Sequence, residues 1–466
     1  MKKGFLLLAV LFIQANIYGQ LEWIKVSSGT EFSIALRSDS SIWAWGNNGN
    51  GQLGIGSTQE QNEPVKIGTH DNWIDIEAGS YSCYAIKSDS SLWSWGLNGN
   101  GQLGIGNTSE MHSPVQVGTD NNWKKLSAGQ AHLMAIKTDS TLWGMGFNYY
   151  GQLGNNSTAD IHEPEQIGSE QWIGIASGGG HSLFVKSDST LWACGINATG
   201  QLGDGTTIQK TVPTLISSDK WLSISAGFEY SIGLKADSTL WTWGFNGNNQ
   251  LGDGSSDQKT IPSQIGQGLK WMSISAGSSF AFAISTDSTL YSWGFNNYGQ
   301  LGLDNTNQTD TLTQVGTDNN WKSISAAQGF YYNSSVYGFH TLGLKSLNNS
   351  ICVSGANYIG QLGNGTNSNN YTFDCGTGLI TILPIVYSEK DEILIYPNPT
   401  NGIINIKTSK YSKYHISLYN SIGKLVYNST NEEKFFSIDL SDFNQGIYFI
   451  KIENNGNIIN QRIILK

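Results

Sequence analysis

Residues 23–54 read "WIKVSSGTEFSIALRSDSSIWAWGNNGNGQLG", and a similar segment begins again at Trp73. Apolar residues alternate with small or polar ones within 33–36 and again within 43–45. A period of two places such residues on opposite faces of a β-strand. The Asp-containing "RSDSS" between these stretches suits a hairpin turn. The segment therefore predicts short antiparallel strands, and no stretch of 20–390 has the pattern of an amphipathic helix.

The end of this segment, "GNGQLG" at 49–54, fits the G-x-G-x-x-G fingerprint of dinucleotide-binding loops. The same string returns at 99–104, whereas a Rossmann unit carries its fingerprint once, on a strand-to-helix turn. The Gln-Leu-Gly part recurs seven times, but the first glycine of the string survives in only three copies. We therefore interpret the string as a tight corner in which Gly51 and Gly54 take positive φ, and we expect no nucleotide cofactor.

Similar units recur along most of the chain, and each opens with a tryptophan. These residues are Trp23, Trp73, Trp123, Trp172, Trp221, Trp271 and Trp321. Each unit offers four short strands, as "IKVSS", "SIAL", "SIWAWG" and "PVKIG" in the first. The tryptophans are 49 or 50 residues apart, and units of this length with four strands are typical of β-propeller blades. We predict an all-β fold, with a seven-bladed β-propeller over 20–386, a linker over 387–392 and a small C-terminal β-sandwich over 393–466.

Several strings within these units, "SAGQAH", "GGGHSL", "LWTWGFN" and "GQLGDGT", resemble the repeat of the regulator of chromosome condensation family. The resemblance covers about 21–380 and implies a seven-bladed propeller. The family commonly places a histidine two or three residues after an Ala-Gly pair. Here His132, His181 and His340 fit that position, and other units substitute Phe32, Tyr81, Tyr230 and Phe280. This variation indicates a packing role for the position and not a catalytic one.

The first residues have the layout of a signal peptide. Lys2 and Lys3 precede "FLLLAVLFI", an apolar run too short to span a bilayer. We expect a signal peptide over 1–19, with cleavage after Ala15 as the alternative. Export permits disulfides. Cys352 and Cys375 fall on adjacent predicted strands of the seventh unit, where a bridge is an option, whereas the other two cysteines, Cys83 and Cys194, look like small buried residues.

The sequence pattern of the last part of the chain differs from that of the repeats. Short alternating strands separated by Asn-Gly, Ile-Gly and Gln-Gly turns indicate a β-sandwich. This part resembles the C-terminal sorting domain of the type IX secretion system. The residues that carry the resemblance are Pro397, Asn398, Pro399, Gly402, Gly423, Gly446 and Tyr448. The resemblance implies handling by the type IX machinery and a location outside a Gram-negative cell, either released or attached to surface lipopolysaccharide after the domain is cut off. An ordinary β-sandwich binding domain is the alternative.

The sequence offers no arrangement of catalytic or metal-binding residues. It contains no H-x-x-x-H, no H-E-x-x-H and no G-x-S-x-G motif. An aspartate recurs in six predicted hairpins, as at Asp39 and Asp89, which indicates a turn residue and not a catalytic pair. The acidic loops 253–257 and 304–310 lack the ligand order of an EF-hand. We therefore expect no enzyme, metal or cofactor. The net charge of -10, concentrated in 20–390, argues against nucleic acid as a partner.

The seventh unit has an insertion between its first two strands. It carries five aromatic residues, Phe330, Tyr331, Tyr332, Tyr337 and Phe339. A long aromatic loop on one propeller face either contacts a partner or plugs the channel and seals the ring. The sequence leaves both options open.

Three functions remain as hypotheses. The first is an exported, monomeric binding module that presents one face to a protein or glycan. The alternative is a secreted polymer-degrading lyase or hydrolase on a propeller scaffold. The least favoured is nucleotide exchange on a small GTPase, the role that the family resemblance implies, because a GTPase is not available outside the cell.

Overall fold

The structure is a computed structural model that describes residues 21–69, 72–329, 331–332, 335–336, 338–346, 350–375, 393–396, 402–408, 413–420, 424–454 and 457–465. The expected signal peptide 1–19 and linker 387–392 lie outside these ranges. The chain divides into two compact units, Met1–Thr381 and Ile382–Lys466. In the described ranges every regular element is a strand, so the all-β prediction is confirmed.

The first unit contains seven four-stranded antiparallel sheets, which we call blades 1 to 7. Blade 1 comprises β1 (Trp23–Ser28), β2 (Phe32–Arg37), β3 (Ile42–Gly46) and β4 (Gln61–Lys66). Blade 2 comprises β5 (Trp73–Ala78), β6 (Ser82–Lys87), β7 (Leu92–Gly96) and β8 (Met111–Gln116). Blade 3 comprises β9 (Trp123–Ala128), β10 (His132–Lys137), β11 (Leu142–Gly146) and β12 (Ile161–Gln166). Blade 4 comprises β13 (Trp172–Ser177), β14 (His181–Lys186), β15 (Leu191–Gly195) and β16 (Lys210–Ser217).

The remaining blades follow the same order. Blade 5 comprises β17 (Trp221–Ala226), β18 (Tyr230–Lys235), β19 (Leu240–Gly244) and β20 (Lys259–Ile265). Blade 6 comprises β21 (Trp271–Ala276), β22 (Phe280–Ser285), β23 (Leu290–Gly294) and β24 (Thr309–Gln314). Blade 7 comprises β25 (Trp321–Ala326), β28 (His340–Lys345), β29 (Ile351–Gly355) and β30 (Asn370–Asp374). A separate two-stranded ribbon, β26 (Tyr331–Tyr332) and β27 (Ser335–Val336), lies between β25 and β28 in the sequence.

Each blade buries apolar residues against the next one, so the core is a series of layers between blades. The layer between blades 1 and 2, for example, combines Ile34 and Leu53 with Trp73 and Trp95. An equivalent layer joins blade 7 to blade 1. The seventh layer closes the ring, and the prediction of a seven-bladed propeller is confirmed.

The strand order fixes which connections share a face of the ring. Strands one and two of a blade, and strands three and four, are joined at the end where Phe32 pairs with Gly46. We call this side of the propeller the loop face. The hairpins between strands two and three, and the passages to the next blade, lie on the opposite side, which we call the hairpin face. The described ends of the blade 7 insertion, 327–329 and 338–339, therefore belong to the loop face.

The second unit has two sheets around one core. One sheet contains β31 (Ile393–Tyr396), β32 (Ile403–Thr408) and β35 (Phe435–Asp439). The other contains β33 (Tyr414–Asn420), β34 (Leu425–Asn431), β36 (Gly446–Asn454) and β37 (Asn457–Leu465). Alternate residues of both sheets, such as Ile404, Ile416 and Ile450, are buried in a common cluster. This arrangement is the small β-sandwich that the alternation predicts.

A disulfide joins Cys352 in β29 to Cys375, which directly follows β30. The bridge therefore links the third strand of blade 7 to the end of its fourth strand. Cys83 and Cys194 are buried free thiols, and burial raises the pKa of both. Across the described residues we find no helix of the length and apolar character that crossing a membrane requires.

Candidate partner-binding face

The corner that the Gln-Leu-Gly string predicts is present in every blade. Gly51 and Gly54 have φ of 73° and 68°, and Asn249, which replaces the first glycine in blade 5, has φ of 58°. A side chain on Gly54 would collide with Trp95 of the next blade, because a Cβ there lies 2.7 Å from the indole nitrogen. The corner therefore packs on the neighbouring blade, and no helix follows it.

Two polar side chains hold each corner. The glutamine, as Gln52, accepts a hydrogen bond from the backbone N–H two residues before it at 2.9 Å. An asparagine five residues before the leucine, as Asn48, accepts the Leu53 N–H at 3.0 Å. Its amide group donates to the carbonyls of Ser57 and Gln59, both at 2.9 Å. This asparagine recurs as Asn98, Asn148, Asn197, Asn246, Asn296 and Asn357. This asparagine was not predicted, although its constant spacing from Gln-Leu-Gly is visible in the sequence.

The three histidines with the family spacing link neighbouring blades. His132, His181 and His340 each bond through Nε2 to a serine Oγ in the next blade at 2.9–3.0 Å. The last of these bonds, to Ser33, crosses the closure between blades 7 and 1. Burial lowers the pKa of each imidazole to about 3, so each is neutral. Their geometry agrees with the packing role that the sequence predicts.

The placement of Tyr81 at this position was wrong. Ser82 pairs with Gly96 in the same register in which Phe32 pairs with Gly46, so Ser82 is the blade 2 counterpart. The small serine leaves room that Tyr84 fills, and the two hydroxyl groups are 3.1 Å apart.

The recurring hairpin aspartates cap their turns. Asp39 accepts hydrogen bonds from the backbone and side chain of Ser41, at 3.1 and 2.5 Å. Although partial burial opposes ionisation, these bonds and those from Arg37 lower the pKa of Asp39 to about 2. The same contacts recur at Asp89, Asp139, Asp188 and Asp237. This geometry agrees with a turn residue.

The first strands of the blades line the central channel, which encloses a cavity of about 190 Å³. Serine side chains connect the strands around it. Ser225 Oγ accepts the Ala276 N–H at 3.0 Å, and equivalent bonds join most neighbouring blades. Blade 4 has Ala176 at this position and so lacks the acceptor.

Blade 2 has a carboxylate in place of the channel serine. Glu77 lies 3.4 Å from the ammonium group of Lys25, which also contacts Asp75 at 2.6 Å. Burial raises the pKa of Glu77, whereas the two carboxylates raise the pKa of Lys25 against the effect of its burial. Lys25 thus pairs with both carboxylates, and in the described part of the chain no group of three or more His, Cys, Asp and Glu is placed to hold a metal ion.

The described ends of the blade 7 insertion cover the channel on the loop face. The Gln328 amide donates across the channel to the Ala226 carbonyl of blade 5 at 3.1 Å, and its backbone carbonyl accepts from Thr30 of blade 1. Phe339 is only 5% exposed and stacks on Tyr298 of blade 6 at 4.7 Å. Phe339 thus packs between blades, as in the sealing option that the sequence left open for the insertion.

Of the other four aromatic residues of the insertion, two lie in the ribbon and two lie outside the described residues. Tyr331 and Tyr332 pair with Val336 and Ser335 through the backbone of the ribbon. Phe330 and Tyr337 lie outside the described residues. A contact between these four side chains and a partner stays a prediction.

A second aromatic group on the loop face is well defined. Phe147 and Tyr149 stack at 6.4 Å, and Tyr150 meets both edge-on. Tyr149 is 66% exposed. Together with Phe228 of blade 5, these residues form what we call the aromatic patch. This group was not predicted from the sequence, where the insertion of blade 7 is the more obvious deviation from the repeat.

Glycines in blade 4 allow the aromatic patch to form. A Cβ on Gly180 would lie 2.9 Å from the ring of Tyr150, and a Cβ on Gly179 would lie 2.9 Å from the ring of Phe228. The turn "GGG" at 178–180 therefore leaves the surface of blade 4 without side chains between the aromatic residues of blades 3 and 5.

The hairpin face exposes a different apolar feature. A β-bulge in the first strand of each blade extrudes the second residue, as Ile24 between Trp23 and Lys25. Five of the extruded residues are aliphatic or methionine and are 41–60% exposed. They are Ile24, Ile74, Ile173, Leu222 and Met272.

The residues of the sorting motif lie in the second unit. Gly402 has φ of 146° and its carbonyl accepts the Leu440 N–H, which ties β32 to the end of β35. Tyr448 is buried, and its hydroxyl group donates to the Asn444 carbonyl at 2.7 Å. Gly446, with φ of 152°, begins β36. Pro397, Asn398, Pro399 and Gly423 lie outside the described residues.

A seven-bladed propeller joined to a β-sandwich that carries a sorting motif defines a secreted propeller module. The sequence profile of the RCC1-like domain matches residues 13–280, and the regulator of chromosome condensation (RCC1) repeat matches 273–300 and 287–331. The chain therefore belongs to the RCC1-like domain family. The secretion system C-terminal sorting domain matches 394–466, which indicates secretion or an outer-surface location and handling by the type IX machinery.

Solved structures agree with this fold. Human WBSCR16 is 20% identical with a TM-score of 0.63, over 72% of this chain and 93% of that chain. Prp20p from Saccharomyces cerevisiae is 22% identical with a TM-score of 0.60, over 70% of this chain and 84% of that chain. At these identities the likeness concerns the fold alone. No curated protein sequence matches the chain.

Proposed function

We propose that this secreted propeller is a non-enzymatic binding module that engages an extracellular protein or glycan through its loop face. The observation that carries the proposal is the aromatic patch, whose Tyr149 is 66% exposed beside the side-chain-free turn of blade 4. Exposed aromatic residues on a rigid scaffold give large contact area at little entropic cost.

The asymmetry of the ring supports the choice of face. The corners repeat in every blade and serve the fold, whereas the insertion of blade 7 and the aromatic residues of blades 3 and 5 break the symmetry. Both deviations occur on the loop face. Deviation from the repeat at exposed positions is the expected sign of a specific site on a repetitive scaffold.

The polymer-degrading alternative has less support. The recurring carboxylates cap hairpins, and the half-buried Asp75 and Glu77 both pair with Lys25. An acid and base pair for glycoside or lyase chemistry needs two carboxyl groups poised over an open cleft.

The test is a binding array of glycans and surface proteins probed with the full chain. Binding that is weakened by Tyr149→Ser but retained by Leu222→Ser, an exposed residue of the hairpin face, supports the proposal. Loss with Leu222→Ser alone places the contact on the other face. Turnover of a polymer in the same mixture, abolished by substitution of one carboxylate pair, contradicts the non-enzymatic part.

A further inference from the structure

We propose that the partner of the loop face is a polypeptide segment rich in lysine or arginine, which binds across the aromatic patch. This inference rests on the proposed function and adds the chemistry of the partner. It is drawn from the distribution of charge between the two faces of the ring.

The segments that form the loop face carry acidic side chains and no basic ones. They are the turns 29–31, 79–81, 129–131, 178–180, 227–229 and 277–279, the insertion ends 327–329 and 338–339, and the loops 47–60, 97–110, 147–160, 196–209, 245–258, 295–308 and 356–369. These segments contain no Lys, Arg or His and nine carboxylates. The carboxylates are Glu31, Glu60, Glu110, Asp160, Asp204, Glu229, Asp253, Asp257 and Asp304.

Lysine and arginine residues of the blades concentrate at the other end. The second strand ends on the hairpin face with Arg37, Lys87, Lys137, Lys186, Lys235 or Lys345 in six blades. Asp204 and Asp253 are offset by Lys210 and Lys259, which begin fourth strands and lie 3.4 and 3.3 Å away. Charge is therefore distributed unequally between the two faces of the propeller, and the loop face is the acidic one.

Four loop-face carboxylates make no hydrogen bond or ion pair through their side chains in the described part of the chain. They are Glu60, Glu229, Asp257 and Asp304. Glu60 and Asp257 are exposed, and Glu229 is half-buried next to Phe228 of the aromatic patch. Burial raises the pKa of Glu229, and a cation bound beside it would offset that cost.

The aromatic patch suits the same partner. The face of a Tyr or Phe ring attracts an ammonium or guanidinium group. The protein makes this contact itself on the hairpin face, where Lys137 Nζ lies 3.4 Å from the ring centroid of Trp143. On the loop face, Phe147 and Tyr149 have no Lys or Arg in their own segment to play that part. Aromatic residues without cations and carboxylates without counter-ions are complementary to a basic segment.

The experiment measures binding of a fluorescent ten-lysine peptide to the full chain by anisotropy, with a ten-glutamate peptide as the reference. The loop-face variant Glu60→Gln, Glu229→Gln and Asp257→Asn removes three charges. The control variant Glu22→Gln, Asp120→Asn and Glu170→Gln removes three charges from the hairpin side. Both variants change the net charge equally, so a difference between them reports where the peptide binds. We expect affinity for the lysine peptide to fall about tenfold in the loop-face variant and less than about twofold in the control variant.

A second variant separates the aromatic contribution from charge. Tyr149→Ser at an exposed site should leave the melting temperature unchanged and weaken lysine-peptide binding by about threefold to fivefold, the loss of one cation–π contact. No binding of the lysine peptide at low salt, or equal losses in the two triple variants, overturns the inference. Retained binding of a neutral glycan, lost on Tyr149→Ser while lysine-peptide binding is unaffected, overturns it and leaves the proposed function standing.

Discussion

At the scale of single residues, polar side chains buried between the blades decide much of the stability. The corner asparagines are fully buried, and each accepts the backbone N–H of the corner leucine and donates to loop carbonyls. The interblade histidines are held neutral. Both kinds of residue recur around the ring. The change in stability caused by a substitution in one blade therefore indicates what the equivalent residues contribute in the others.

The corner asparagine can be tested against its own neighbour. Asn296 accepts the Leu301 N–H and donates to Asn305 and Asn307, all at 3.0 Å, whereas Asn297 is exposed. We expect Asn296→Ala to lower the free energy of unfolding by about 3 kcal/mol, because it orphans the buried Leu301 N–H and removes two bonds to loop carbonyls. Asn297→Ala should change it by less than about 0.5 kcal/mol. Urea unfolding measures both, and equal effects would contradict the role of the corner.

The histidines predict acid sensitivity with a definite sign. In the unfolded chain each imidazole binds a proton near its ordinary pKa of 6.5, but in the fold His132 binds one only near pH 3. The stability that depends on the neutral histidines is therefore fully present above pH 6.5 and is lost as the pH falls towards 3.

Replacing one histidine should reduce this pH dependence. His132→Phe, which copies Phe280 of blade 6, removes one of these protons. Between pH 6.5 and 3, the loss of unfolding free energy should then be shallower by up to about 1.4 kcal/mol per pH unit. Unfolding curves over this pH range measure the slope, and an unchanged slope contradicts the assignment.

At the scale of strands and turns, the blades differ in the residue at the channel serine position, and a substitution can add or remove that serine. Ser225 accepts the Ala276 N–H, and its counterpart Ala176 cannot accept the Ala226 N–H. Ala176→Ser should raise the free energy of unfolding by about 1 kcal/mol, and Ser225→Ala should lower it by a similar amount. Thermal melting of the two variants gives the sign directly, and shifts in the same direction would contradict the pairing.

Most of the propeller was predictable because its units repeat. The tryptophan spacing and the period of two specify four-stranded blades, and the constant Gln-Leu-Gly specifies the corner. The position of Tyr81 was wrong because serine, its true counterpart at 82, has none of the bulk shared by the other units. Two features could not be read from one unit. The contact of Gln328 with Ala226 crosses a whole blade, and the charge separation depends on which turns share a face.

At the scale of the whole molecule, none of the described strands is shared between the first and last blades of the ring. Blade 7 meets blade 1 through the His340–Ser33 bond, the Ser28–Ser325 bonds and the buried layer between them. The Cys352–Cys375 disulfide fastens the end of β30, the fourth strand of blade 7, to its third strand. It therefore reinforces the blade that closes the ring.

Removal of the disulfide should destabilise the propeller measurably. Cys352 and Cys375 are 23 residues apart, and closing a loop of that length is worth about 3 kcal/mol. We expect the double variant Cys352→Ser and Cys375→Ser to lower the free energy of unfolding by about this amount. Dithiothreitol should reproduce the effect in the parent chain and have none on the variant. Insensitivity of the parent chain to the reductant would contradict a stabilising bridge.

The construction of each blade from consecutive strands has a consequence for how such proteins arise. The seam between blades 7 and 1 uses the same kinds of contact as the other six junctions, so the ring has no privileged starting point. A gene rearranged to begin at Trp73, with 21–72 placed after 375, would encode the same set of strand pairings. Whole units can likewise be duplicated or exchanged without dividing a sheet, which leaves the loop-face segments of individual blades free to diverge.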